Sequence, residues 1–229
     1  CHAIERLMNV EVPPRAQYLR IIWSELHRMH SHLLWLGLFA EGFGFESLFM
    51  QLWKIRERVM DLNEATAGNR VIISVNILGG VRRDITAEQL AWIDKEMKEV
   101  SKELRALTST MLSDYTVKQR TVGKGVLSKE DAYLLGAVGP MLRGSGWAID
   151  ARMLKYEAFK DIDFEPVVEY DGDSYARAKV RFLETLQSAD IVRQCIARIP
   201  DSELAAKVSG RPEGEIVTRV EQPRGELLY

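Results

Sequence analysis

The sequence is poor in cysteine: Cys1 and Cys195 are the only two among 229 residues. Two thiols cannot complete a four-cysteine metal site, nor do they read as a disulfide framework, so a reducing, cytoplasmic setting is the simple inference. A charge excess is also lacking. Lysine and arginine total 31 against 33 acidic residues, a formal net charge of −2, which argues against a dedicated nucleic-acid binder. No apolar run is long. The most apolar one, Leu33 to Ala40, stops at Glu41, far short of the ~20 residues a membrane-spanning helix needs. Signal peptide, internal repeat, low-complexity tract and clear linker are all missing. The glycine pairs Gly42/Gly44, Gly123/Gly125 and Gly144/Gly146 extend neither to a dinucleotide fingerprint nor to a phosphate loop.

What is present is helical periodicity. After Pro13-Pro14, a natural helix entry, Leu19, Ile22, Leu26, Met29, Leu33 and Leu36 form one apolar stripe. Trp23, His27, His30 and Leu34 form an adjacent one, so this helix is buried on more than one side. A second helix is predicted over Ser47–Thr66 with Gly68 as its C-terminal cap. Thr86 and Gln89 make a capping box before Leu90, Ile93, Met97, Val100, Leu104, Leu107 and Met111. Ser128 caps a short helix through Leu135, and Asp173 caps a long one that Pro200 ends. The Val/Ile-rich Arg70–Leu78 reads as a strand turned by Gly79-Gly80, Glu203–Val208 as one more turn, and Glu215–Val220 as a closing strand. Residues 136–146 read as a glycine-rich loop passage. The fold class is mainly α: one helical domain over residues 1–229, a multi-helix bundle with small β elements.

Candidate chemistry is sparse. His27 and His30 at i, i+3 share a helix face, with His32 close by, but no cysteine or carboxylate completes a metal shell except Glu25, which points elsewhere. No metal is therefore expected in this chain. Arg82 and Arg83 follow the Gly-Gly turn, and Arg143 precedes Gly-Ser-Gly. An arginine held in a tight loop aims a fork of donors at an anion or a partner carboxylate, although a plain surface charge is as good a reading. Phe39, Phe43, Phe45 and Phe49 line either an apolar pocket or, more commonly, core. No serine, histidine and acid assembly is suggested by spacing.

A series of strings, in this order, carries a resemblance over essentially the whole chain. They are Ala3-Ile4-Glu5, Glu11-Val12-Pro13-Pro14-Arg15-Ala16, Glu25-Leu26, Ser31-His32-Leu33, Arg56-Glu57, Asp61-Leu62-x-Glu64, Gly68-x-Arg70, Gly79-Gly80-Val81 with Asp84, Gly125-Val126, Leu142-Arg143-Gly144-Ser145-Gly146 and Arg224-Gly225-Glu226-Leu227. Each is weak alone; together they resemble the 49-kilodalton-type (D-type) subunit of respiratory complex I and the large subunit of membrane-bound energy-converting nickel-iron hydrogenases. The resemblance implies the helical hydrogenase-large-subunit fold and a place in an oxidoreductase complex at the cytoplasmic face of a membrane, bound peripherally. Implied partners are an iron-sulfur small subunit with a 4Fe-4S cluster, a membrane anchor subunit and a 30-kilodalton-type subunit. The implied acceptor is protons at a nickel-iron centre in one branch and quinone in the other, the latter in an NAD-binding complex of the NADH:quinone oxidoreductase type.

The quinone branch carries an aspartate after the first long helix and a histidine just beyond Gly-x-Arg. Gly42, beside Glu41, and Ile72 stand at those positions here, which favours the hydrogenase-like branch. The family's two cysteine pairs would fall before Cys1 and after Tyr229. The chain thus reads as an internal piece of a longer subunit, inactive alone and with no cofactor bound in it. Arg82, Arg83 and Arg143 are expected to face the small subunit's cluster. Glu5, His30, His32 and Glu41 are expected near the catalytic chamber. A complex I subunit, and a helical scaffold without redox chemistry, are the alternatives.

Overall fold

A computed structural model describes residues 1–229. Its helices are α1 (His2–Leu7), α2 (Pro14–Glu41), α3 (Glu46–Ala67), α4 (Ala87–Ser113), α5 (Tyr115–Thr121), α6 (Lys129–Leu134), α7 (Gly139–Arg143) and α8 (Ser174–Arg198). Two 3-10 turns, Ala151–Leu154 and Glu157–Asp161, precede α8. Two antiparallel hairpins complete it: β1 (Asn76–Ile77) with β2 (Gly80–Val81), and β3 (Arg219–Gln222) with β4 (Gly225–Leu228).

The long helices start and stop where local chemistry dictates. Thr86 and Gln89 form both halves of their capping box, and Asp173 accepts from Ala176 N–H at 2.8 Å. Gly68 closes α3 at φ +82°, a conformation that costs glycine nothing. α2 lies between α3 and α8, and α4 packs across α8 and α3. Trp23 meets Thr66, His30 meets Arg56, and Gly37 lies against Trp53, so α2 and α3 run antiparallel. One apolar cluster joins all four long helices. The stripe Leu90, Ile93, Met97, Val100, Leu104 and Met111 seals α4 onto it, each large side chain contributing roughly 1.5–3 kcal/mol. Phe39, Phe43, Phe45 and Phe49 pack half-buried against this core rather than lining a separate pocket.

Three expected elements differ. The strand over Arg70–Leu78 shrinks to Asn76–Ile77, because Asn69 Oδ1 accepts from the backbone of Val71 and Ile72 (both 2.9 Å) and turns the chain away from a ladder. Ile72 is consequently 71% exposed. Glu203–Val208 forms no helical turn. It runs extended along the glycine turn, with Val81 N–H donating to the Leu204 carbonyl (2.9 Å) and Ala206 N–H to that of Gly79 (3.0 Å). A Cβ on Gly80 would stand 2.1 Å from the Leu204 carbonyl oxygen, so only glycine permits this approach. The closing strand begins at Arg219, not Glu215, and pairs with a partner strand that periodicity did not reveal. Residues 136–146 are not all loop: Pro140 in the first turn starts the short α7.

Candidate functional site

Glu25, Arg28 and His32 follow one another at i, i+3 and i+7 on one face of α2, and that face meets α8 at Glu184 and Ser188. Glu25 accepts from Arg28 Nε (3.1 Å), Arg152 Nη1 (3.1 Å) and Ser188 Oγ (2.7 Å). Arg152 Nη2 donates to Asp150 at 2.7 Å. Arg143, at the end of α7, donates from Nε to Glu184 (2.6 Å) and from Nη1 to Glu221 of β3 (2.8 Å). The other oxygen of Glu184 meets His32 Nε2 at 2.8 Å. Glu25, Arg28, Arg143, Arg152 and Glu184 are all fully buried.

Three guanidiniums (Arg28, Arg143, Arg152) thus face four carboxylates (Glu25, Asp150, Glu184, Glu221) out of contact with water. Burial alone would raise the Glu184 carboxyl, but Arg143 and His32 outweigh it and hold it well below the usual range. Burial also opposes ionisation of Glu25, yet Arg28 and Arg152 lower it. Glu221 goes the other way: burial, helped by the Asp150 charge, raises it against the pull of Arg143. Glu221 is thus the carboxylate of the network whose ionisation is least favoured.

Above this network lies a cavity of about 310 Å3 lined by Ser31, His32, Leu34, Trp35, Leu38, Met141, Arg181, Pro223 and Arg224. Every ionisable residue in the lining is basic. Arg181 is only 8% exposed, has no carboxylate within 4.0 Å, and makes one hydrogen bond, from Nη1 to the carbonyl of Arg177 (2.9 Å). Its guanidinium lies 4.1 Å from the centre of the Trp35 ring. Burial pushes it down to about 10 against the opposing Glu184, with Arg177, Arg143 and Arg224 adding to the fall. Glu184 therefore acts on Arg181 as a counter-charge from beyond ion-pair distance. The cavity thus sets Arg181 and Arg224 beside the apolar side chains of Leu34, Trp35, Leu38 and Met141.

Of the residues singled out in the sequence, Arg143 and His32 meet here through Glu184. His30, two residues from His32 on the helix, points to the opposite face toward Arg56. Glu5 belongs to a separate ion cluster: Arg20 donates to it at 2.6 Å and to Glu157 at 2.8 Å, and Gly79 N–H donates to it at 2.8 Å. His2, Glu5 and Glu157 present ligand atoms within 4.8 Å of one another. Arg20 already occupies both carboxylates, so a metal ion would displace an existing cation. Glu41 is exposed at the end of α2, and Arg82 and Arg83 are exposed after β2, away from this cavity. Glu25, Asp150, Arg152, Arg181, Glu184 and Glu221 were not singled out as site residues. The available signal was a carboxylate inside a helix buried on more than one side, as at Glu25 and Glu184.

Acid should weaken the fold through two histidines. Burial pushes His30 and His32 from the ordinary 6.5 down to about 4. Both are neutral in the folded protein at pH 7, and on acidification the unfolded chain takes up their protons first. Stability is expected to be level above pH 6.5 and to fall between 6.5 and 4, with a combined slope approaching about 2.7 kcal/mol per pH unit. Urea midpoints measured across that window check this, and a flat profile would contradict it.

Comparison with known proteins adds a family. Residues 42–211 match the model for the respiratory-chain NADH dehydrogenase 49 kDa subunit. The carbon monoxide-induced hydrogenase of Rhodospirillum rubrum is 38% identical over 232 residues, covering all of this chain and 64% of that protein. The first C/D-type subunit of the NADH-quinone oxidoreductase of Aquifex aeolicus is 38% identical over 247 residues, covering 99% and 42%. The D-type subunit of the F420H2 dehydrogenase of Methanosarcina mazei is 37% identical over 234 residues, covering 98% and 63%. The chain thus spans between 42% and 64% of the length of these three relatives.

Proposed function

Because the chain belongs to the family of the 49 kDa subunit of respiratory-chain NADH dehydrogenase, we propose that it is the central part of the large subunit of a membrane-bound oxidoreductase complex. The hydrogenase-type branch is favoured, because Gly42 and Ile72 offer no polar side chain at the two positions where the resemblance places the quinone branch's aspartate and histidine. The complex is peripheral at the cytoplasmic membrane face, and the chain alone is inert. Its partners are an iron-sulfur small subunit, a membrane anchor subunit and a 30-kilodalton-type subunit.

The observation that carries the reading is the basic cavity at Arg181 and Arg224, resting on the buried ion network. In this reading it is one wall of the reaction chamber. Arg181 and Arg224 supply positive charge and N–H donors to an electron-rich group in the chamber, while Trp35, Leu34, Leu38 and Met141 exclude water. Glu184 holds the His32 ring in place, and Arg143 holds Glu184. Arg82 and Arg83, exposed beyond β2, face the iron-sulfur subunit, and Arg143, whose Nη2 finds no acceptor within the chain, lies close to its cluster.

A nickel-iron centre does not fit the donors available here. It requires a set of thiolates, whereas burial raises the Cys195 thiol and Cys195 and exposed Cys1 are the only cysteines. The residues of this chain serve the chamber from its side without ligating a metal.

Arg181→Met tests the reading. In the assembled complex it is expected to lower turnover at least tenfold, about 1.4 kcal/mol of transition-state stabilisation. The urea midpoint should hold or rise, because the variant removes a buried charge that makes no ion pair. Unchanged turnover would reject the chamber wall and leave a helical scaffold as the better description.

A further inference from the structure

On the opposite face of α2 several polar groups are left without partners. Seven buried side-chain nitrogen or oxygen atoms have no hydrogen-bond partner in the chain. Six of them belong to residues of α2 and α3: Arg20 Nε, His30 Nδ1, Trp53 Nε1, Arg56 Nε, and both amide atoms of Asn63. Buried polar atoms are rarely left unpaired, and Arg56, which meets both His30 and Trp53, brings three of them into one neighbourhood.

The chemistry of that something follows from the donors. Arg56 is only 8% exposed, and no aspartate or glutamate lies within 4.0 Å of its guanidinium. Its Nη2 meets His30 Nε2 at 2.7 Å, and its Cζ lies 5.0 Å from the centre of the Trp53 ring. A guanidinium can only donate, so His30 accepts at Nε2 and carries its proton on Nδ1. The orphan atoms of Arg56, His30 and Trp53 are then all N–H donors, beside a guanidinium whose opposing charge, Glu57, makes no ion pair with it. Ordered water would satisfy the donors but leave the guanidinium without a paired carboxylate.

We propose that Arg56 and His30 form a binding site for a carboxylate, a second site on the far side of α2 from the basic cavity and independent of the reading given to that cavity. A planar guanidinium fork matches two acceptor oxygens, which favours a carboxylate over a spherical anion. Val71 and Ile72 are exposed along the edge that follows α3, and the Val71 backbone acts on the ring of His27, one turn before His30. The carboxylate comes either from solution or from an acidic side chain of a partner that covers this edge. The other charged and titratable groups around the pair are His27 on α2, Glu57 on α3, and Arg70.

His30 is the reporter, since an anion bound beside it favours the imidazolium. The full-length subunit, isotopically labelled at histidine, is titrated with pH at increasing acetate, with chloride at matched ionic strength as the control. Acetate is expected to raise the His30 pKa by about one unit or more, a tenfold gain in proton affinity, with a much smaller effect of chloride. Arg56→Gln should abolish the acetate effect, and Arg56→Lys, which keeps the charge without the fork, should retain only part of it. In the assembled complex, a His30 that is already shifted and insensitive to acetate identifies the carboxylate as the partner's. A His30 that still responds to acetate identifies a site for a free carboxylate. A His30 pKa that acetate leaves unmoved in the isolated wild-type subunit, and that assembly also leaves unmoved, overturns the proposal. That outcome needs no variant to fold.

Discussion

Replacing Arg143 with alanine is expected to cost about 3–5 kcal/mol, because it strands Glu184 and Glu221 as buried charges without their common partner. A domain of this kind has only roughly 5–15 kcal/mol to lose. For a chain of this length the melting temperature should fall by roughly 10 °C. The lost attraction is the smaller part of the effect. Arg143 is fully buried and its Nη1 also donates to the Ile149 carbonyl at 2.9 Å, so its removal opens an unfilled space lined by carboxylates. Urea unfolding at pH 7 measures the loss directly. A second variant separates the charge from the space. Arg143→Ala combined with Glu184→Gln should be clearly less damaging than the two single losses added together, since each partner's absence relieves the other. Strict additivity would mean that Arg143 and Glu184 do not act as a pair. Slower electron delivery in the assembled complex is also expected for Arg143→Ala, and it must be read against that stability loss.

Gly225→Ala should be nearly as damaging, for a reason of space. Gly225 adopts φ +130°, and an added Cβ would stand 2.6 Å from both the Gly139 nitrogen and a methyl carbon of Val138. Gly139 is itself at φ +61°, at the start of α7. The two glycines let the β3–β4 hairpin dock directly on the backbone of α7, which sets Arg224 at the rim of the basic cavity and Glu221 beneath Arg143. Strain and crowding together should cost about 2–4 kcal/mol. The hairpin should lift away rather than the helices melt. Amide exchange is therefore expected to accelerate in residues 219–228 and 139–143 and to change little in α4. Uniform acceleration over the whole chain would contradict this local account.

How much was legible beforehand depends on how local the cause was. The stripe of α4, its capping box, the Gly68 cap and the Asp173 cap each depend on residues within a few positions, and all stand in the structure. The strand predicted at Arg70–Leu78 failed because one side chain, Asn69, diverted the backbone despite the high β propensity of Val71, Ile72 and Ile73. The pair β3–β4 escaped notice because its strands are only four residues long and are held by docking on α7. The histidines group together in the sequence because they are neighbours along the chain. The helix sends His30 and His32 to opposite sides, one to an unpaired arginine and the other to Glu184.

By itself the sequence determined where the long helices run, since a 3.6-residue apolar period and a capping side chain act over one or two turns. It also carried, in its ordered strings, the family to which the chain belongs. The tertiary structure alone decided which charges are buried and what they face. The ion network draws Glu25, Arg143, Arg152, Glu184 and Glu221 from segments far apart in the chain. An arginine or glutamate looks the same in a sequence whether solvated or enclosed. Only the packing of α2 against α8, and of the terminal hairpin against α7, excludes the water that would otherwise screen those charges.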